Sequence, residues 1–190
     1  MKKALNQQSK YEWIWYVLGY LSIARISLEK LKNDQYPKKD PGEKLAYYDK
    51  FVLLAVIWNI KHALELIIKH LGLMVDKTYL QSHNSEILIK DLTKRIKSLK
   101  IYKPEKIDEL AKIINKYYRL EFLGKEFFID KNTLDVKNSL FRYPNNSIDV
   151  GFVNQITVEE IDELLKDIEF VRRLRAILDI SLQAKGKAKT

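Results

Sequence analysis

Cysteine is absent from the 190 residues of this chain. The chain can therefore form no disulfide, no thiolate nucleophile and no cysteine-ligated zinc or iron–sulfur site. The absence fits a reducing cytosol. Glycine (six residues) and proline (four) are scarce, and 46% of the residues are hydrophobic. This composition excludes a collagen-like fibre and a disordered chain, and it favours a folded domain.

Long hydrophobic runs are also missing. The longest runs without a charged residue are Trp13–Ala24 and Phe51–Ile60, and both fall short of the roughly 20 residues that a membrane-spanning helix needs. No small-x-small cleavage site follows the first run, so a signal peptide is not indicated. We therefore expect a soluble, cytoplasmic protein with no membrane partner.

The net charge of +9 is distributed unevenly. Six of the lysines lie in residues 1–10 and 184–190, where the chain has no acidic residue. The intervening residues are nearly neutral, apart from the stretch between Lys90 and Lys106, which holds seven basic and two acidic residues. A local basic excess of this kind favours contact with the phosphate backbone of RNA or DNA, although charged helix faces are often merely solvated.

Apolar residues recur at helical spacing along most of the chain, which predicts five helices near residues 10–33, 40–71, 84–100, 104–123 and 157–182. Capping boxes at Asp40–Glu43 and Thr157–Glu160 begin the second and the last, and Gly72 is expected to end the second. We predict an all-α, antiparallel helical bundle in one domain, residues 1–183, followed by a disordered basic tail, residues 184–190. No strand is predicted, and residues 125–156 are expected to form an irregular and functional stretch.

Polar residues on the apolar second helix form the first candidate site. Asn59, His62, Glu65 and Lys69 follow one another at spacings of three, three and four residues, so they lie along one stripe. The stripe is either the solvated side of the helix, a groove or a dimer seam. We also expect the protein to form a homodimer.

A second candidate lies at the start of the third helix, where Ser82-His83-Asn84 could present an imidazole beside backbone amides that bind phosphate. The alternative is a simple helix cap with a surface histidine. On the same helix Lys90, Lys94 and Lys97 fall opposite the apolar residues. Lys69 and Arg95 are expected near them, and Lys69 is a candidate for the same binding role. We expect this face to bind nucleotide or nucleic acid, unless it is only a solvated helix face.

Arg142 and Tyr143, in the irregular stretch, form the last candidate. Arginine offers a fixed donor fork for a phosphate, and tyrosine can stack on a base; the alternative is a rigid turn with Arg142 paired to a buried acid such as Glu65. The chain contains no metal-binding His-Glu-x-x-His, P-loop or Gly-x-Gly-x-x-Gly sequence. We expect no metal and no cofactor.

The order of these motifs resembles that of the HEPN (higher eukaryotes and prokaryotes nucleotide-binding) domain family. The chain has His62-Ala-Leu-Glu65-Leu-Ile-Ile-Lys69 on a central helix, then Ser82-His83-Asn84, and later Arg142-Tyr143-Pro144. The resemblance implies a helical bundle that is often dimeric and that binds RNA, DNA or nucleotide. It also implies a toxin–antitoxin or defence context, and a small nucleotidyltransferase as a partner.

The chain departs from the family pattern in two places. The ribonuclease motif, an arginine followed after four to six residues by histidine, is missing, and Asn84 stands where an aspartate is usual. We therefore expect a binding protein with no or weak catalysis. The alternatives are a metal-independent ribonuclease with an unorthodox His83 and Arg142 site, and a protein-interaction module that uses the Asn59–Lys69 stripe and exposed aromatic residues such as Tyr117 and Tyr118.

Overall fold

The computed structural model describes residues 2–4, 7–35, 47–99, 104–118 and 158–186. These residues form five helices and two three-residue strands. In chain order the elements are β1 (Lys2–Ala4), α1 (Gln7–Gln35), α2 (Tyr47–Asp76), β2 (Thr78–Leu80), α3 (Ser85–Leu99), α4 (Pro104–Tyr118) and α5 (Val158–Gly186). The predicted all-α bundle is confirmed, and the helix near each predicted position is present.

The expectation of no strand is wrong. β1 and β2 pair antiparallel, with Lys2 opposite Leu80 and Ala4 opposite Thr78. Three residues are too few to show an alternating pattern, so the sequence carries no strand signal here. The pair is held by its neighbours: Tyr79 is buried, and its ring lies 4.8 Å from that of Trp13 on α1.

The core is built around α2, which contacts the other four helices and β2. Buried apolar residues lie on nearly all sides of this helix, as its sequence predicts, and they include Leu53, Val56, Ile60, Leu64 and Ile67. α1 covers one side of α2, and α3 covers another with Leu88, Leu92 and Ile96. Because α2 is central, any polar side chain on it must find a partner inside the protein or face a gap between helices.

The prediction that Gly72 ends α2 is wrong, because Gly72 lies within the last turns of this helix. A β-carbon at this position would lie 3.3 Å from both Arg95 Nη1 and the carbonyl oxygen of Thr78. A side chain at position 72 would therefore require Arg95 or β2 to shift by a few tenths of an ångström. The helix instead ends at Asp76. The next residue, Lys77, has a left-handed φ of 63°, and its amide donates to the carbonyl oxygen of Leu73.

At the C-terminal end, α5 continues through Gly186, three residues beyond the predicted end of the domain. The first residues assigned to a disordered tail are therefore helical, because propagating an existing helix through Ala184 and Lys185 requires little free energy. Residues 187–190 lie outside the described residues. So do the two capping residues Asp40 and Thr157, and the irregular stretch 125–156.

Candidate functional site

The segment between α2 and α3 brings the predicted motif Ser82-His83-Asn84 against α2. Asn84 is the cap of α3: its side-chain oxygen accepts from the amides of Glu86 (3.0 Å) and Ile87 (3.2 Å). Its own amide donates to Ser82 Oγ, at 3.0 Å. The helix-cap alternative is correct for Asn84, and the two capped amides are not available to a phosphate.

His83 is more than a surface residue, because its Nδ1 lies 3.0 Å from Oε1 of Glu65. The same carboxylate oxygen accepts a hydrogen bond from Lys69 Nζ at 2.6 Å. Glu65 is 3% exposed and Lys69 7% exposed, whereas 67% of the His83 side chain is open to solvent. The structure therefore brings together three of the predicted residues, which we call the histidine site: a buried ion pair that ends in an exposed imidazole.

This arrangement controls the chemistry of the imidazole. With Nδ1 held by Glu65, Nε2 is the ring nitrogen left for a ligand, and a carboxylate at Nδ1 fixes the ring orientation and the tautomer. The residue next to His83, Asn84, is not a carboxylate, but the carboxylate of Glu65 reaches the ring from α2. The neutral ring can accept a proton at Nε2, and the charged ring can donate a hydrogen bond to a phosphate oxygen.

The rest of the predicted α2 stripe has a different environment. Asn59 and His62 are half-buried; the amide of Asn59 donates to the carbonyl oxygen of Ala55 at 2.7 Å. The His62 ring stacks on Trp58 at 5.2 Å and meets the edge of Tyr20 at 4.7 Å. The stripe is thus not simply solvated. Burial of Glu65 and Lys69 also removes their side chains from any dimer seam.

The three lysines of α3 are exposed, as the helical spacing predicts. Lys90, Lys94 and Lys97 follow one another with rises of about 6 Å and about 4.5 Å along the helix axis. His83 lies just before the N-terminus of the same helix. We call these three residues the lysine face.

Arg95 does not belong to the lysine face. It is 5% exposed and binds Asp76 (2.5 Å) and Asp91, and it donates to the carbonyl oxygen of Thr78 at 2.7 Å. Its charge is therefore matched by two carboxylates, and its side chain joins α3 to β2 and the end of α2. The basic excess between Lys90 and Lys106 is smaller at the surface than in the sequence.

Two aromatic residues expected at the surface are buried. Tyr117 and Tyr118 are at most 1% exposed, so they cannot form a docking surface for another protein. Burial, with the nearby Asp167 carboxylate, raises the pKa of Tyr117 well above its usual value. The hydroxyl of Tyr118 donates to the carbonyl oxygen of Lys61 at 3.1 Å.

Lys61 is a buried charged residue that sequence reasoning missed. It lies four residues before Glu65 on α2 and is fully buried, and its Nζ lies 4.7 Å from the centre of the Tyr118 ring. The spacing of four residues between Lys61, Glu65 and Lys69 was a usable signal, because it places all three charges on one side of a central helix.

Two shallow grooves along α5 hold none of the predicted residues. One, of about 410 Å³, is lined by Lys106, Lys166, Glu169, Phe170 and Arg173. Arg173 lies 2.7 Å from Glu169 and lowers the pKa of that carboxyl. Arg173 is paired with Glu169 and Lys106 with Glu109. Because these cations are already paired, the grooves offer a weaker anion site than the lysine face.

Arg142 and Tyr143 lie outside the described residues, so their relation to the histidine site stays a prediction. Within the described ranges, no group of three or more histidine, aspartate or glutamate side chains is arranged to hold a metal ion. No described helix is long and apolar enough to cross a membrane.

Comparison with known proteins finds no match: no family model fits the chain, and no curated protein or solved structure is significantly similar to it. The HEPN resemblance therefore depends on the order of the motifs and stays a prediction.

Proposed function

We propose that this protein is a HEPN-like helical protein that binds nucleotide or nucleic acid. The observation that carries the proposal is the exposed imidazole of His83, held by the buried Glu65 at the start of the helix that presents the lysine face. Burying the charges of Glu65 and Lys69 costs desolvation free energy. Buried charges that orient an exposed imidazole are typical of sites that bind a ligand.

The lysine face supplies the affinity in this proposal. Lys90, Lys94 and Lys97 each place a mobile ammonium group at the surface, where it can replace counterions on successive phosphates. His83 supplies a directed hydrogen-bond donor at one end of the row. The toxin–antitoxin or defence context and a nucleotidyltransferase partner follow from the resemblance alone.

RNA binding measured against salt concentration tests this proposal. Each lysine that contacts a phosphate contributes about −0.7 to the slope of log K against log salt for a single strand. The triple variant Lys90→Ala, Lys94→Ala, Lys97→Ala should therefore weaken binding and reduce the slope by about 2. A flat salt response in the parent protein would overturn the proposal.

A matched control removes the same charge elsewhere. Lys112, Lys166 and Arg173 are exposed on two other helices, so their replacement by alanine changes the net charge equally. This second triple variant should keep most of the salt slope. An equal loss in both variants would show that only overall charge matters, which contradicts a specific lysine face.

A second candidate function, metal-independent RNA cleavage, is favoured by the Glu65–His83 contact. In this reaction Nε2 of His83 accepts the proton of a ribose 2′-hydroxyl, and the 2′-oxygen attacks the adjacent phosphorus. A 2′,3′-cyclic phosphate forms, and the departing 5′-oxygen takes a proton from water. Glu65 acts as a positioning residue, and the predicted Arg142 would stabilise the charge on phosphorus.

Incubation of the protein with a labelled single-stranded RNA in the presence of EDTA separates the two functions. Cleavage that is lost in both His83→Ala and Arg142→Ala variants, with circular dichroism unchanged, would establish the ribonuclease. Cleavage that persists in both variants would exclude it. Binding without cleavage would leave the first function alone.

A further inference from the structure

Helix α1 carries an apolar face that points away from the core. Among the described residues, four of the five large hydrophobic side chains that are exposed lie on this helix: Trp15 (67% exposed), Tyr16 (62%), Ile23 (54%) and Ile26 (65%). The opposite side of the same helix is buried, with Val17, Leu21, Ala24 and Leu28 in the core. α1 is thus apolar on two sides, and the residues that the structure describes cover one of them.

The spacing along this face is that of a coiled-coil seam. Positions 12, 16, 19, 23, 26 and 30 of α1 follow one another at intervals of four, three, four, three and four residues. The series reads the same in both directions. In an antiparallel pair of such helices, Gly19 of one copy lies opposite Ile23 of the other, and Tyr16 lies opposite Ile26.

Charge and size also agree with such a pair. The run Trp13–Ala24 has no charged residue, so two copies can meet without like charges opposed. The same register places the position of Glu12 opposite Lys30, which is exposed. A β-carbon on Gly19 would meet nothing within 4 Å, and its absence lets a second helix approach closely, although glycine inside a helix costs about 1 kcal/mol relative to alanine.

We infer that this face of α1 is covered by the same face of a second copy, in an antiparallel two-fold dimer. The four exposed side chains supply on the order of 500 Å² of apolar surface per copy. A typical interface buries about 800 Å² per partner, so the apolar seam with its polar rim meets the lower end of that class. The inference does not depend on the proposed function, because α1 contributes no residue to the histidine site or the lysine face.

Sedimentation velocity of the full chain without nucleic acid, over a range of concentrations, tests the dimer. Ile26→Glu should raise the dimer dissociation constant at least about tenfold, since it buries two unpaired charges. Ile87→Glu, at an exposed isoleucine on α3, is the matched control and should leave the constant unchanged. Equal constants for the parent and Ile26→Glu would overturn the inference. A monomer at every concentration would also overturn it and assign the face to another part of the same chain or to a different protein.

Disulfide trapping tests the register, since the chain has no cysteine of its own. A mixture of Gly19→Cys and Ile23→Cys chains should form mainly the mixed disulfide under mild oxidation, because the antiparallel register makes these two positions neighbours. Mainly same-position disulfides, or none, would overturn the antiparallel register. Neither sedimentation nor trapping involves RNA, so failure here leaves the RNA proposal standing, and failure of RNA binding leaves the dimer standing.

Discussion

Two clusters of buried charge lie between α2 and the segment that follows it, and they differ in how they end. In the first, Arg95 is surrounded by Asp76, Asp91 and the carbonyl oxygen of Thr78, and nearly all of its side chain is buried. In the second, the histidine site, Glu65 joins the buried Lys69 to an imidazole of which two thirds is exposed. The first cluster joins elements of the fold, and the second leads from the core to the surface.

This difference in exposure suggests a structural role for the Arg95 cluster and a functional role for the histidine site. A buried ion pair gives little net stability, because desolvation offsets most of its Coulomb attraction. The Arg95 side chain nevertheless also donates to the backbone carbonyl oxygens of Thr78 and Gly72, at 2.7 Å and 3.4 Å, so it connects α3 to β2 and to the end of α2. The histidine site satisfies no such backbone group in the described residues, and its exposed end is available for a ligand.

The largest effect is expected at Arg95. Arg95→Met should lower the free energy of unfolding by about 4 kcal/mol, because it leaves two carboxylates and the carbonyl oxygen of Thr78 without their cation. Chemical denaturation measures this loss. Lys94→Met, on the exposed side of the same helix, is the control and should change stability by less than about 0.5 kcal/mol. Similar values for both variants would show that the Arg95 cluster does not hold the fold together.

A smaller effect is expected at Glu65. Glu65→Gln should destabilise the protein by about 2 kcal/mol, because Lys69 is left buried without a counter-charge while the amide oxygen still accepts its hydrogen bond. The double variant Glu65→Leu, Lys69→Leu should lie within about 1 kcal/mol of the parent, since it removes both charges. A double variant less stable than Glu65→Gln would mean that the ion pair itself stabilises the fold, as Arg95 is expected to do.

The smallest effect on stability is expected at His83. His83→Ala should change the free energy of unfolding by less than about 0.5 kcal/mol, because most of the side chain is already in water. RNA affinity should nevertheless fall, and the His83→Gln variant, which keeps a hydrogen-bond donor, should recover part of it. A large loss of stability without a change in affinity would make the histidine site a second structural cluster and remove its distinction from the Arg95 cluster.

The helices could be predicted from the sequence, but several of their ends could not. The starts of α3 and α4, Ser85 and Pro104, were predicted to within one residue, because caps and prolines act locally. Gly72 was misread as the end of α2, since nothing local shows that Arg95 and Thr78 pack against it. The strand pair could not be predicted from the sequence, because β1 and β2 are far apart along the chain and each has only three residues.

The residues of the candidate site could be predicted from the sequence, but the contacts between them could not. Helical geometry was enough to place Glu65 and Lys69 on one line and the three lysines on another. The contact of Glu65 with His83 joins residues 18 positions apart, across the turn at Lys77 and strand β2. Arg95 is buried and Lys94 is exposed, although they are adjacent in sequence. This difference follows from the packing of α3.

The sequence alone determined that the chain is helical, that α2 is central, and which residues carry charge on each helix face. These properties follow from local periodicity, capping and composition, which act over a few residues. The tertiary structure alone decided which of those charges are buried, that Glu65 holds His83, and that the described residues leave one apolar face of α1 exposed. The reason is physical: burial and pairing depend on neighbours brought close by the fold, whereas periodicity depends only on neighbours along the chain.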